Sequence, residues 1–174
     1  GRQFVTLYAF STENWNRPAS EVYFLMELME RTLQEQREGL RRNGIRLTAI
    51  GELHRLPPRL RSLIKAIQEE SLPATMTLCL AISYGGRAEL AAAAREIAAE
   101  AAAGVLDPED IDEDALGRRL STTRLGIPDP DLVVRTSGES RLSNLLLWQA
   151  AYSELHVVSK AWPEFRRRDL VDAF

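Results

Sequence analysis

Three runs hold most of the side chains in this sequence that could grip or transform an anionic ligand. They are Ser11-Thr12-Glu13-Asn14-Trp15-Asn16-Arg17, Ser83-Tyr84-Gly85-Gly86-Arg87, and Arg135-Thr136-Ser137-Gly138-Glu139-Ser140-Arg141-Leu142-Ser143-Asn144. In the last run two arginines offer planar forks that match phosphate oxygens bidentately, Ser143 adds a hydroxyl, and Ser137-Gly138 lets backbone approach a ligand. Such a set is able to cradle a pyrophosphate. The plainer alternative is a polar loop whose arginines pair with Glu139 and Glu154, and spacing alone favours it. The first run sets a large indole among hydrogen-bonding groups, which suits a ligand with an apolar body and a polar head. A turn leading into a helix explains the same residues equally well. Tyr84-Gly85-Gly86 reads as a tight structural turn. His54 and His156 stand alone, without metal-ligand spacing, and read as non-catalytic.

The elements that must position these runs are legible from periodicity. Phe4 to Phe10 is β-branched and aromatic and reads as a buried strand. Pro18-Ala19-Ser20-Glu21 starts a helix with Ser20 as its N-cap, and Val22, Leu25, Met26, Met29 and Leu33 form its apolar stripe. Arg41 and Arg42 suit its last turn, and Gly44 its stop. Ile45 to Ile50 is a second strand, and Pro57-Pro58 opens a second helix with Leu60, Leu63, Ile64 and Ile67 on one face. Thr75 to Ser83 is a third strand, followed by an alanine-rich helix from about Ala88 to Ala103. An acidic connector, Asp107 to Asp114, leads to a short helix around Ala115 to Leu120. Asp131 to Thr136 and Leu155 to Ser159 complete five strands. Strands alternating with helices predict one α/β domain over residues 1–174, a mostly parallel central sheet covered by helices. In such sheets ligands bind beyond the carboxyl ends of the strands, and all three runs follow a strand. Glu154 precedes its strand, which is the wrong end for that crevice.

Composition narrows the classes. The 174 residues are 45% hydrophobic and 27% charged, with 22 Lys plus Arg against 25 Asp plus Glu and a net charge of -3. Without a basic excess no nucleic-acid surface is expected, and anions must be held by locally placed arginines. The one cysteine, Cys79, lies in an apolar run, which excludes a disulfide framework and reads as a buried, inert thiol. No apolar run is long enough to span a bilayer and no signal peptide is read at the start, so a cytoplasmic protein is expected. The first strand begins almost at residue 1 and the chain stops within a helical pattern, so both ends read as truncated. A Walker-type glycine run and G-x-G-x-x-G after a strand are both absent, which ranks a nucleotide-binding module low.

Leu7-Tyr8-Ala9-Phe10-Ser11-Thr12-Glu13-Asn14-Trp15-Asn16-Arg17-Pro18 is similar, residue for residue, to a signature of the cis-prenyltransferases. Gly51 to Pro57, Tyr84-Gly85-Gly86-Arg87, Arg135 to Glu139, Arg141 to Asn144, Leu147-Trp148-Gln149, Ala151-Tyr152 with Glu154-Leu155, and Trp162-Pro163-Glu164-Phe165 resemble further motifs of that family, in its order. The resemblance covers the whole chain and is of the undecaprenyl pyrophosphate synthase type. It implies a transferase that condenses isopentenyl pyrophosphate with an allylic pyrophosphate such as farnesyl pyrophosphate. The product would be a long cis-polyprenyl pyrophosphate for the cell-wall lipid carrier.

The same resemblance implies roles residue by residue. Ser11, Thr12, Glu13, Trp15 and Arg17 would line the reaction centre and allylic site, with Ser11, Glu13 and Asn14 catalytic and Asn14 the proton acceptor. Glu21 would support them. Arg135, Arg141, Leu142 and Ser143 would bind isopentenyl pyrophosphate, and Glu154 would help bind Mg2+, which assists departure of the allylic pyrophosphate. The family's opening Asp-Gly-Asn-Gly-Arg-Trp segment, with its first strand and magnesium-binding aspartate, is not found here. Nor is its C-terminal Arg-x-Gly element, and Ser83 stands where asparagine is more usual. These departures leave the activity of the chain as it stands open. A homodimer is implied, with Trp148, Tyr152 and Leu155 as interface or, equally, as core, and with peripheral membrane contact for product release. The rival within the fold is a non-catalytic partner subunit, which the intact first and third runs argue against.

Overall fold

In this computed structural model, residues 3–70 and 74–174 are described. The chain divides into two compact units, Gly1–Ile127 and Pro128–Phe174.

The first unit is built on three parallel strands: β1 (Gln3–Ser11), β2 (Ile45–Ile50) and β3 (Met76–Tyr84), in the order β1-β3-β2. The run richest in consecutive apolar residues, β3, takes the centre and is buried along most of its length. Leu7 and Ala49 both stand opposite Leu80; β2 keeps register with β3 throughout, while the β1 register shifts between Tyr8 and Ser11. Two long helices, α1 (Ala19–Arg42) and α2 (Pro58–Glu69), bring their stripes onto one core. Met26 and Leu33 of α1 and Leu60, Ile64 and Ile67 of α2 pack there with Phe10, Leu47, Leu80 and Ile82. Each such fully buried aliphatic side chain contributes about 1.5–3 kcal/mol.

Several expected boundaries move. Helix α1 begins at Ala19 with Pro18 as its N-cap, so Ser20 lies inside the first turn and caps nothing. Proline's fixed φ suits the entry to a helix, and Pro18 O accepts from Glu21 N at 2.9 Å and Val22 N at 3.1 Å. At the other end Asn43 is the C-cap and Gly44 follows with φ +61°, the left-handed stop expected of it. Helix α3 (Gly86–Ala102) starts two residues before the expected point, because Gly85 is extended and Gly86 already helical. The acidic connector supplies caps instead of remaining irregular: Asp112 accepts from Ala115 N at 2.7 Å and starts α4 (Glu113–Gly117). The expected helix to Leu120 is thereby split, with α5 (Ser121–Arg124) following Leu120. Strand β1 is an edge strand and largely half-exposed, Phe10 being its one buried residue, so the expectation of a buried strand is corrected.

In the second unit β4 (Leu132–Arg135) and β5 (Glu154–Val157) form a parallel pair, and α6 (Arg167–Val171) follows. Among the described residues the strands therefore hydrogen-bond as a parallel three in the first unit and a parallel pair in the second. The link from β4 to β5 is irregular and holds Ser137, Gly138, Ser143, Asn144 and Leu146 at positive φ. Four of these are not glycine, an uncommon concentration of left-handed backbone.

Candidate functional site

In the first unit two of the three runs meet at the carboxyl ends of adjacent strands. Ser11 stands opposite Tyr84 in the β1–β3 register, and the phenol of Tyr8 donates to Tyr84 O at 3.1 Å. Thr12–Asn16 forms a single 3-10 turn, set by Asn14 Oδ1 accepting the Ser11 backbone N–H at 2.8 Å. That bond engages the Asn14 amide oxygen in its own turn. Thr12 donates to Glu13 at 3.2 Å, and Glu13 is exposed. Arg17 pairs with Glu21 one helical turn on, where the carboxylate also suits the start of α1. Glu21 thus supports the first run by holding Arg17.

Trp15 is the best-anchored member. Its ring lies edge-to-face on Phe10, centroids 5.1 Å apart at 73°. Its Nε1 donates to Ser83 Oγ at 2.9 Å, and the Arg55 guanidinium lies 4.7 Å from the ring centroid. Arg55 is held in turn by Glu52 at 3.0 Å. The sequence reading expected the indole beside the ligand and apart from the core. The indole is in fact half-buried and packed against the core, which corrects the second part of that expectation.

Glu52, Arg55 and the hydroxyl of Ser83 were given no individual role from the sequence, although Gly51 to Pro57 was matched as a motif and Ser83 opens the second run. One signal was available: residues 51–55 follow β2, so the strand-end rule that flagged the other runs applies to them as well. Gly51 makes that loop possible. It has φ +113°, and a Cβ there would lie 2.1 Å from Ile82 O, so only glycine lets the end of β2 press against β3.

The middle run differs from the expected glycine turn. The left-handed residue is Ser83, at φ +51° and fully buried, while Gly85 is extended. Beyond it the Tyr84 phenol donates to Glu89 at 2.6 Å, and Glu89 accepts from Ser121 N at 2.8 Å. The run therefore ties β3, α3 and α5 together.

The third run lies in the second unit. Arg135 ends β4 and donates to Ser143 Oγ at 3.4 Å, while its Nε is buried without a hydrogen-bond partner. Arg141 pairs with Glu139 at 2.6 Å, as the plain-loop reading anticipated, and remains 72% exposed. Leu142 accepts from Leu145 N at 3.2 Å, turning the chain just before Ser143. The amides of Ser137 and Gly138 donate to Lys160 O at 2.7 Å and Val158 O at 2.9 Å. They fasten the loop.

Glu154 begins β5 opposite Leu132, whereas Arg135 is opposite Val157 at the far end of the same pair. Three residues of strand separate the two positions, about 10 Å. Its carboxylate is exposed and in no ion pair among the described residues, where no cluster of three or more His, Cys, Asp or Glu is arranged to hold a metal. A lone carboxylate is compatible with Mg2+, which is commonly held by one or two carboxylates plus substrate phosphate oxygens. Tyr152 is fully exposed and Leu155 exposed, so neither is core in this chain, while Trp148 is half-buried. Among the described residues no helix is long and apolar enough to cross a membrane.

The Prenyltransf family model, that of undecaprenyl diphosphate synthases, matches residues 1–174. An isoprenyl transferase of Heliobacterium mobile is 45% identical over 98% of this chain, and one of Prochlorococcus marinus 43% identical over 97%. The chain spans 65% and 62% of the length of those relatives. Among solved structures, lavandulyl diphosphate synthase from Lavandula x intermedia, crystallised with dimethylallyl diphosphate, superposes with a TM-score of 0.93 at 39% identity. That match covers 98% of this chain and 74% of that one. A probable undecaprenyl diphosphate synthase from Campylobacter jejuni gives 0.84 at 35% identity, covering 98% and 77%. By its motifs, its parallel α/β architecture and these relatives, the chain belongs to the undecaprenyl diphosphate synthase family of prenyltransferases.

Proposed function

We propose that the protein condenses isopentenyl pyrophosphate with an allylic pyrophosphate and builds a long polyprenyl pyrophosphate, a reading supported by its similarity to proteins named isoprenyl transferases. One observation carries this reading. A cluster of hydrogen-bonding groups, Ser11 to Arg17, stands at the carboxyl ends of β1 and β3 and leads directly into α1, which exposes Tyr23, Phe24 and Leu28. A polar head site running into an unpartnered apolar helix face suits a pyrophosphate with an isoprenoid tail.

In this reading Ser11, Thr12, Glu13, Trp15 and Arg17 take the allylic substrate. Proton removal falls to this cluster too, with Ser11, Glu13 and Asn14 as its members. Glu13 is the better base: a carboxylate accepts a proton readily, while the Asn14 amide is neutral and its oxygen already accepts the Ser11 N–H. In the second unit Arg135, Arg141, Leu142 and Ser143 bind isopentenyl pyrophosphate. Its charge favours guanidinium forks, and the strained backbone of residues 137–146 fits a loop shaped for a ligand. Prenyltransferases of this family are generally metal-dependent, and Mg2+ would be held by Glu154 together with pyrophosphate oxygens. When bound it neutralises charge on the departing pyrophosphate. A homodimer using Tyr152 and Leu155, a cytoplasmic location and transient contact with a membrane for product release complete the reading.

The test is incorporation of labelled isopentenyl pyrophosphate onto farnesyl pyrophosphate by the full-length protein with magnesium. Chain extension is expected. Absence of extension with any allylic primer, in protein that still binds isopentenyl pyrophosphate, would instead mark a non-catalytic partner subunit.

A further inference from the structure

Of the groups that hold the Trp15 indole, Ser83 is the one whose own backbone is strained to do so. Its φ of +51° lies in the left-handed region, where glycine sits freely, asparagine is tolerated and other L residues are disfavoured. The residue is fully buried, and its hydroxyl accepts the indole N–H of Trp15 at 2.9 Å. Around it the backbone is clamped: Glu52 N donates to Ser83 O at 3.0 Å, and that oxygen lies 3.0 Å from where a Cβ on Gly51 would be. Residue 83 therefore has little freedom to move, and its Oγ is aimed at one atom of the first run.

We propose that Ser83 is a positioning residue for the candidate site. Its hydroxyl fixes the plane of the Trp15 indole and, through it, the 3-10 turn that presents Ser11, Glu13 and Asn14. Arg55 completes the arrangement by covering the ring, with Glu52 fixing Arg55. The proposal rests on reading Ser11 to Arg17 as the allylic head site, and adds a residue from another strand that never touches the ligand. Glycine at position 83 would relieve the strain but give Trp15 no acceptor, and alanine would keep the strain and lose the acceptor. Stability and positioning can therefore be separated by substitution.

The experiment uses the full-length protein with Ser83→Ala, Ser83→Gly, Trp15→Phe and the double variant Ser83→Ala with Trp15→Phe. Indole N–H resonances are recorded by NMR, with Trp148 and Trp162 as internal references and Trp15→Phe supplying the assignment. Both Ser83 variants are expected to shift the Trp15 resonance alone. They should lower kcat/KM toward the allylic pyrophosphate roughly three- to tenfold, with the KM for isopentenyl pyrophosphate unchanged. Ser83→Gly should melt no lower than Ser83→Ala while losing as much activity, which a merely structural role would not produce. In the Trp15→Phe background, Ser83→Ala should cost nothing further. An unmoved Trp15 resonance, an unchanged kcat/KM, or fully additive losses would each overturn the proposal. If the unsubstituted protein extends no prenyl pyrophosphate, the functional reading falls, and the indole resonance still decides whether Ser83 sets Trp15.

Discussion

Arg135 and Ser143 reach each other across a loop: the guanidinium donates to Oγ at 3.4 Å, and Arg135 Nε is buried without a partner. The contact is long and the guanidinium's capacity is only partly used, which leaves donors for an anion. Arg141, by contrast, already pairs with Glu139 at the surface. Arg135→Ala is therefore expected to weaken isopentenyl pyrophosphate binding more than Arg141→Ala. A charge-assisted hydrogen bond is worth about 1.5–3 kcal/mol, so the loss should be at least about tenfold by titration calorimetry. Unchanged binding in the double variant would remove this loop from the site.

Trp15→Ala should lower stability as well as turnover. The substitution deletes the edge-to-face contact with Phe10, the hydrogen bond to Ser83 and the surface under Arg55. Full burial of a Trp would make its loss worth 3–5 kcal/mol, and a half-buried ring should cost roughly 2 kcal/mol in urea unfolding. An unchanged midpoint would show that the core does not depend on the indole.

Gly51→Ala should be among the most damaging single-methyl changes available. The added carbon would meet Ile82 O at 2.1 Å, and both neighbours are backbone that cannot swing aside. Backbone strain of about 1–3 kcal/mol is compounded by displacement of the β2–β3 pairing. Soluble yield and thermal midpoint measure the effect, and a wild-type midpoint would contradict the close approach.

Acid should loosen the last helix first at Asp169. Its carboxyl lies below the usual carboxylate range because Lys160 and then Arg166 N, at 2.8 Å, hold it ionised. A depressed folded-state pKa means the contribution is fully present above the unfolded value, about 3.9, and is lost as pH falls through the lower folded value. Protection factors of the amides of residues 167–171, which take exchange relative to the intrinsic rate at each pH, should fall below about pH 4, and Asp169→Asn should abolish that fall. Protection factors equal at pH 6 and below pH 4 in the unsubstituted protein would contradict the capping role.

Cys79 should be inert in the folded protein. Burial pushes its thiol up to about 11, so almost no thiolate exists at neutral pH. A disulfide reagent should label it slowly in buffer and rapidly in urea. Fast native labelling would contradict its burial in β3.

Much of this architecture was legible in the sequence because local pattern and tertiary fate coincide. The stripe from Val22 to Leu33 and the Pro57-Pro58 start each gave a helix where one forms, and the apolar run before Tyr84 became the central strand. What stayed hidden depends on partners distant in sequence. Nothing in Phe4 to Phe10 says that it lies at an edge, since strand neighbours are chosen by pairing over 70 residues away. Ser83 gave no sign of a left-handed backbone, because a glycine pair next door was the more economical explanation. Likewise, nothing local says that the amides of Ser137 and Gly138 donate to the carbonyls of Lys160 and Val158, which lie beyond any local window. The first run was recognised through its resemblance to a family signature, whereas the clamp of Arg55 and Ser83 on Trp15 joins three strand ends and cannot be read from any one segment.

The position of β1 also governs how the chain behaves in the test tube. Along residues 3–11 one side of the ladder is filled by β3, and among the described residues nothing pairs with the other. That side offers a row of amides and carbonyls on a segment rich in Phe, Val, Thr, Leu and Tyr, without proline or lysine to discourage a newcomer. Such an edge templates strand addition. Handled as these 174 residues alone, the protein should be sensitive to concentration, and a charged substitution at the exposed Val5 is the first remedy to try against precipitation.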